Sequence, residues 1–227
     1  MALVFWGIVI GIALSILAET YGVWARVVGA VNNSPTTGYS IHVRIATAGR
    51  FFTFMAAPLL GFLVDSGVTA AEISLIGSLS FFLISIATFI FIYSGLGSFN
   101  WVYGILDSKY PKELVSKISI TFKDAISYRS FVIVNILSFG LSGIGIIVVN
   151  IFAALNPDHR ATIVQLAASI TAVGTLLHVF KIDPQLSRAA DSDPELLQRL
   201  VMILLISRII CACILGVGFV GFYLWLL

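Results

Sequence analysis

Six runs of about twenty predominantly apolar residues dominate this 227-residue chain. An α-helix rises 1.5 Å per residue, so a run of that length crosses the ~30 Å hydrocarbon core of a bilayer. The runs fall at Leu3–Val23, Tyr39–Val64, Ile73–Tyr93, Phe131–Leu155, Ala161–Phe180 and Leu200–Leu227. Inside hydrocarbon every backbone N–H and C=O must be satisfied within the structure, which selects helices for such runs. Only 11% of the residues are charged and 59% are hydrophobic. A soluble domain has about a quarter of its residues charged, so this chain has no polar coat for a soluble core. An all-α polytopic membrane helix bundle with about six transmembrane helices is predicted.

Several classes drop out at once. A net charge of +2 carries no signature of a nucleic-acid or other acidic partner. Met1 to Ala18 has no Lys or Arg ahead of its apolar stretch, unlike a signal peptide, and reads as a retained first span. Cys211 and Cys213 are two apart, match neither C-x-x-C nor a metal pattern, and read as small buried thiols. No H-E-x-x-H, G-x-S-x-G or P-loop is present, so neither an enzyme nor a cofactor is expected.

The links organise the chain as a single membrane domain, 1–227. Asn32-Asn33-Ser34-Pro35, Asp65-Ser66-Gly67 and Asn156-Pro157-Asp158 are turn sequences, and Asp183-Pro184 opens an acidic link running through Asp191, Asp193, Pro194 and Glu195. One long connection, 95–130, separates a first three-helix half, 1–94, from a second, 131–227. Leu114, Ile118, Phe122 and Ile126 lie four apart among Lys112, Lys117 and Lys123. That pattern fits an amphipathic helix lying in the interface, or equally a cytoplasmic extension of the fourth span. Lys109, Lys112, Lys117, Lys123, Arg129, Lys181, Arg188 and Arg199 gather on one side and Arg160 on the other. The basic side is expected to be cytoplasmic, with both termini outside.

Charged residues near the spans are the candidates for function, because an arginine at the bilayer centre costs about 2.5–3.5 kcal/mol on insertion scales. Arg26, Arg44, Arg50 and Arg208 are such residues, with Glu19 the one comparable carboxylate and His42 and His178 nearby. Glu19 and Arg26 are two helical turns apart, about 10 Å, and would meet only through water or a bridging group. Arg44 and Arg50 point about 120° apart, so one of them snorkels or meets a neighbouring helix. Taken singly, each arginine is as easily a carbonyl cap. Together, four bases against one acid favour an anion, and forked guanidinium donors suit phosphate. His159-Arg160, opening the fifth span, reads either as a second anion site or as a solvated turn. Gln165, Thr171 and Thr175 line a polar path or join helices, and Gly140, Gly143 and Gly145 permit close helix approach.

Short blocks along the chain resemble the Amj family of lipid II flippases. Glu19-Thr20 with Trp24-Ala25-Arg26-Val27-Val28-Gly29 is similar to its first block. Gly49-Arg50 leading to Ala57-Pro58-Leu59-Leu60-Gly61 and Val64-Asp65 resembles the second. Leu155-Asn156-Pro157-Asp158-His159-Arg160-Ala161-Thr162, Gln165-Leu166, Gly174-Thr175, Ile182-Asp183-Pro184 and Ser207-Arg208 resemble the later ones. Arg44 and His42 lie outside these blocks. The resemblance implies a multi-pass protein of the bacterial cytoplasmic membrane that moves the undecaprenyl-pyrophosphate-linked peptidoglycan precursor, with membrane lipids as its surroundings. The charged residues themselves suggest an alternating-access path in which Arg26, Arg50 and Arg208 draw in the pyrophosphate and protonation of Glu19 releases Arg26. By analogy with the larger multidrug/oligosaccharidyl-lipid/polysaccharide exporters, a homodimer would complete a transporter. Three rivals remain: a carrier of another lipid-linked or amphipathic anion, a non-transporting scaffold whose arginines meet partner subunits, and an integral enzyme on polyprenyl substrates. The last would need a converging acid or nucleophile that the sequence does not show.

Overall fold

The computed structural model describes residues 1–93 and 126–227. Its helices are α1 (Ala2–Gly22), α2 (Trp24–Val31), α3 (Pro35–Asp65), α4 (Ala70–Tyr93), α5 (Arg129–Leu155), α6 (Arg160–Leu177), α7 (Asp183–Ser192) and α8 (Pro194–Leu226). Among the described residues six helical segments are long and apolar enough to span a membrane, with α1–α2 forming one and Pro157–Ser192 another. The amphipathic stripe from Leu114 to Phe122 lies outside the described residues.

Local chemistry sets the ends of these helices. Asn33 (φ 53°) and Gly67 (φ 83°) take the left-handed conformation that terminates a helix. The following N–H groups, of Ser34 and Val68, then bond back to Gly29 and Leu63 at 2.7 and 3.1 Å. At the start of α4, Thr69 and Glu72 exchange hydrogen bonds as a capping box. Asp193 caps α8 by accepting from the N–H groups of Glu195 and Leu196.

Two sequence expectations change. The acidic stretch after Asp183 is not a link but a short helix, α7, because Pro184 sits in its first turn, where a missing N–H costs nothing. Pro58 lies within α3, which runs through it to Asp65, on an exposed side of the helix. Cys213 is also exposed, whereas Cys211 is buried as expected.

Packing divides the interior into two apolar clusters. One joins Ile8, Ala13, Leu60, Ile73, Phe81, Ile147 and Phe219. The other lies toward the end bearing the 94–125 link and joins Trp24, Val28, Phe131, Leu186, Leu197 and Leu204. Helix α4 packs closely on α8, α1 on α3, and α6 chiefly on α5. Gly145 lets α6 approach α5, since a Cβ there would lie 2.8 Å from Thr171 Oγ1 and 3.2 Å from the Ala167 carbonyl oxygen. The rest of α6, including Gln165, is largely exposed. Among the described residues Gln165 therefore joins no helices, and Thr175 donates within its own helix, to the Thr171 carbonyl.

The tightest crossing sets the position of the charged residues. A Cβ on Gly29 would lie 2.6 Å from the Gly38 Cα, and one on Gly38 only 2.5 Å from the Ala25 carbonyl oxygen. These are backbone atoms and cannot step aside. Gly38→Val is expected to force α2 and α3 apart and cost at least the about 1–3 kcal/mol of core overpacking. A fall in thermal stability of the purified protein would show it; an unchanged melting temperature would contradict the crossing.

Candidate functional site

The two apolar clusters are separated by a layer of ionisable side chains. Along α1 and α2, Glu19 and Thr20 lie between Leu17 of one cluster and Val23 of the other; along α8, Arg208 lies between Leu205 and Cys211. Arg208 is 2% exposed and only two residues from the midpoint of Pro194–Leu226. An isolated guanidinium at that depth is expensive, so its partners are the first thing to find.

Arg208 Nη1 donates to Thr20 Oγ1 at 3.0 Å, and Nη2 donates to Glu19 Oε1 at 3.3 Å. Its guanidinium also lies over the Phe139 ring, 5.3 Å from the centroid. Glu19 sits deep among the helices yet keeps 44% of its side chain accessible, so it lines a crevice rather than a sealed core. Gly49 lets α3 pass α1 closely, because a Cβ there would run into Ala18. The neighbouring Arg50 is thereby brought within electrostatic reach of Glu19 while its own side chain stays exposed.

A second tier lies toward the link-bearing end. Arg26 Nη1 is 3.0 Å from Asp183 Oδ1, and the guanidinium stacks over the Tyr39 ring at 4.6 Å. His178 Nε2 approaches the same carboxylate oxygen at 3.6 Å. His42 is buried against Gly22 between the tiers, and its Nδ1 has no hydrogen-bond partner. Arg26 is 2% exposed, and although Asp183 lies 3.0 Å away, neither Nη1 nor Nη2 makes a well-aligned hydrogen bond among the described residues. Charge is balanced while donors remain unspent. Arg26, Thr36, Tyr39, Ser187 and Asp191 line a cavity of about 200 Å³ at this end. That is smaller than the about 300–1,000 Å³ pockets that enclose drug-sized ligands.

The local fold explains how Asp183 reaches this tier. Residues five apart in an α-helix point about 140° away from each other, which would keep His178 and Asp183 apart. The segment His178–Ile182 is instead a π turn. Pro184 has no N–H, and its ring crowds the carbonyl four residues back, at Phe180, so regular winding is disfavoured there. The wider turn takes up an extra residue and swings Asp183 onto the face of His178. Such π turns recur at functional sites.

The structure therefore joins Glu19, Arg26 and Arg208 in one layer, with Arg50 at its edge. It separates the other two candidates. Arg44 is exposed on α3. Arg160 lies at the opposite end of the bundle, where its Nη1 donates to Asp65 Oδ1 at 2.7 Å, so the anion site considered at the start of the fifth span is not part of the layer. The expected Glu19–Arg26 partnership is replaced by Glu19–Arg208 and Arg26–Asp183. Sequence reasoning missed the role of Asp183 by assigning it to a link, gave Thr20 no role although it lies in a family-like block, and missed Tyr39 because nothing marks it before the helices are packed. Among the described residues no group of three His, Cys, Asp or Glu is placed to hold a metal ion.

A family model described as Amj, Alternate to MurJ, matches residues 107–219, about half of the chain. The match covers Arg160, His178, Asp183 and Arg208, whereas Glu19, Arg26, Arg44 and Arg50 lie before it. No curated protein and no solved structure matches the chain.

Proposed function

This chain belongs to the Amj family, and from that premise we propose that it is a flippase for lipid II, the undecaprenyl-pyrophosphate-linked peptidoglycan precursor of the bacterial cytoplasmic membrane. The observation that carries the reading is Arg26: a buried guanidinium with unspent donors on the wall of a cavity. Such donors are pre-organised for an oxyanion and need no desolvation when it arrives. The pyrophosphate enters from the link-bearing, cytoplasmic side, meets Arg26 first and Arg208 next, and Arg50 holds the exposed edge. The isoprenoid tail stays in lipid beside the exposed faces of α3 and α6. In the state described here the cavity admits a pyrophosphate but not a disaccharide-peptide, so alternating access requires the helices around it to part. Protein and lipid bind without covalent chemistry; the protein is a transporter and not an enzyme.

The small cavity also supports a second reading, a carrier of a smaller amphipathic anion. One experiment separates the two. In a bacterium depleted of its main lipid II flippase, expression of this chain should restore growth, and Arg26→Gln at equal membrane level should lower survival by tenfold or more, on the ~1.5–3 kcal/mol of one charge-assisted hydrogen bond. No rescue by well-expressed wild-type protein would favour the smaller anion.

A further inference from the structure

The charged layer is electrically balanced before any substrate arrives. Arg26 and Arg208 face Asp183 and Glu19, so the excess of positive charge expected from the sequence is left to Arg44 and Arg50, whose side chains are exposed, and the buried centre of the layer has none. A pyrophosphate brings at least two negative charges into this layer. If it takes Arg26, Asp183 is left without its ion-pair partner in a low-dielectric interior, where an uncompensated carboxylate is costly. Something must supply positive charge as the anion enters.

We propose that His178 is the proton acceptor that couples anion binding to proton uptake. This inference rests on the anion-path reading above. His178 already touches the Asp183 carboxylate and is the junction of the two tiers: Arg208, Glu19, Asp183 and Arg26 all act on it electrostatically. On α7, which follows the π turn, Arg188 and Asp191 are exposed. From α3, His42 faces the same layer and Arg50 faces Glu19, while α5 from Phe131 to Leu155 and α6 from Ala161 to Leu177 contain no Asp, Glu, His, Lys or Arg. Lys181, on the same π turn, is exposed. In the empty site the guanidinium of Arg26 holds the Asp183 carboxylate. When the pyrophosphate takes up Arg26, that positive charge is neutralised and the Asp183 carboxylate is freed. A proton taken from solvent then converts the imidazole to imidazolium, and the imidazolium–carboxylate pair replaces the guanidinium–carboxylate pair. Release of the anion reverses each step and returns the proton. Because the bound state holds the extra proton, anion affinity rises as pH falls.

The test counts protons. Purified protein in nanodiscs is titrated with farnesyl diphosphate, an isoprenoid carrying a pyrophosphate, by calorimetry in buffers of different ionisation heat. Proton changes on the probe itself cancel when wild type and His178→Gln are compared at one pH. Wild type should take up more protons per bound probe, by up to one, than His178→Gln at the same pH. Its affinity should also fall more steeply than that of the variant as pH rises. Should His178→Gln fail to fold, His178→Asn decides, since it also lacks a titrating ring and should lose the same extra proton. Equal proton counts in wild type and either folded variant would overturn the role of His178 while leaving anion binding intact. Absence of binding by the wild type at every pH would instead overturn the anion path itself, and the coupling with it.

Discussion

Replacing Asp183 with alanine should destabilise the folded protein by about 3–5 kcal/mol, the cost of stranding one partner of a buried ion pair. Arg26 has little other recourse: its side chain is 3% exposed, and its Nη1 and Nη2 make no hydrogen bond that would survive the loss. The double variant Arg26→Met, Asp183→Leu removes both charges and fills similar space with apolar atoms, so it should recover most of the lost stability. Thermal or denaturant unfolding in detergent checks both outcomes. Recovery in the double variant has a second use, because a stable protein that lacks Arg26 separates folding from function. If the pair is only structural, that variant transports normally. If Arg26 binds the anion, it is stable and inactive.

The second large effect is expected from Arg208→Lys. The charge is kept, but the fork that serves Thr20 and Glu19 from two nitrogens is replaced by a single ammonium that cannot match both positions. Loss of one charge-assisted hydrogen bond is worth about 1.5–3 kcal/mol, or roughly a ten- to hundredfold loss in the step it supports. Transport should fall by that factor with the protein still inserted. Normal transport by Arg208→Lys would mean that only the charge matters, and would remove the guanidinium from the proposed path.

Much of the bundle was legible before any coordinates, because twenty-residue apolar runs permit one backbone solution in a bilayer. The site was legible only in part, and the reasons are specific. Arg208 and Glu19 stood out because charge is costly in their surroundings. Arg26 was placed after the first span, yet α2 carries the chain on through seven buried residues, Trp24 to Ala30, and draws it inside. Asp183 was read as link because Asp-Pro ordinarily opens a turn. Its place in the site depends on the π turn that Pro184 favours, and a window that assumes 3.6 residues per turn misses it. Arg44 satisfies the same cost criterion as Arg50, and only the rotation of α3 against α1, fixed at Gly49, distinguishes the two. Arg160 was correctly placed at the far end, but its partner Asp65, 95 residues away, is visible only in three dimensions.

On the proposed function, the Arg26–Arg208 layer conducts a lipid-linked pyrophosphate across the bilayer. The most direct measurement of that conduction is the movement of fluorescent lipid II between leaflets of proteoliposomes containing this chain or the Arg26→Met, Asp183→Leu variant. Wild-type protein should transfer the lipid well above the protein-free rate, and the equally stable variant should fall back to that background. Wild-type transfer no faster than in empty liposomes, or equal transfer by the two proteins, would contradict it.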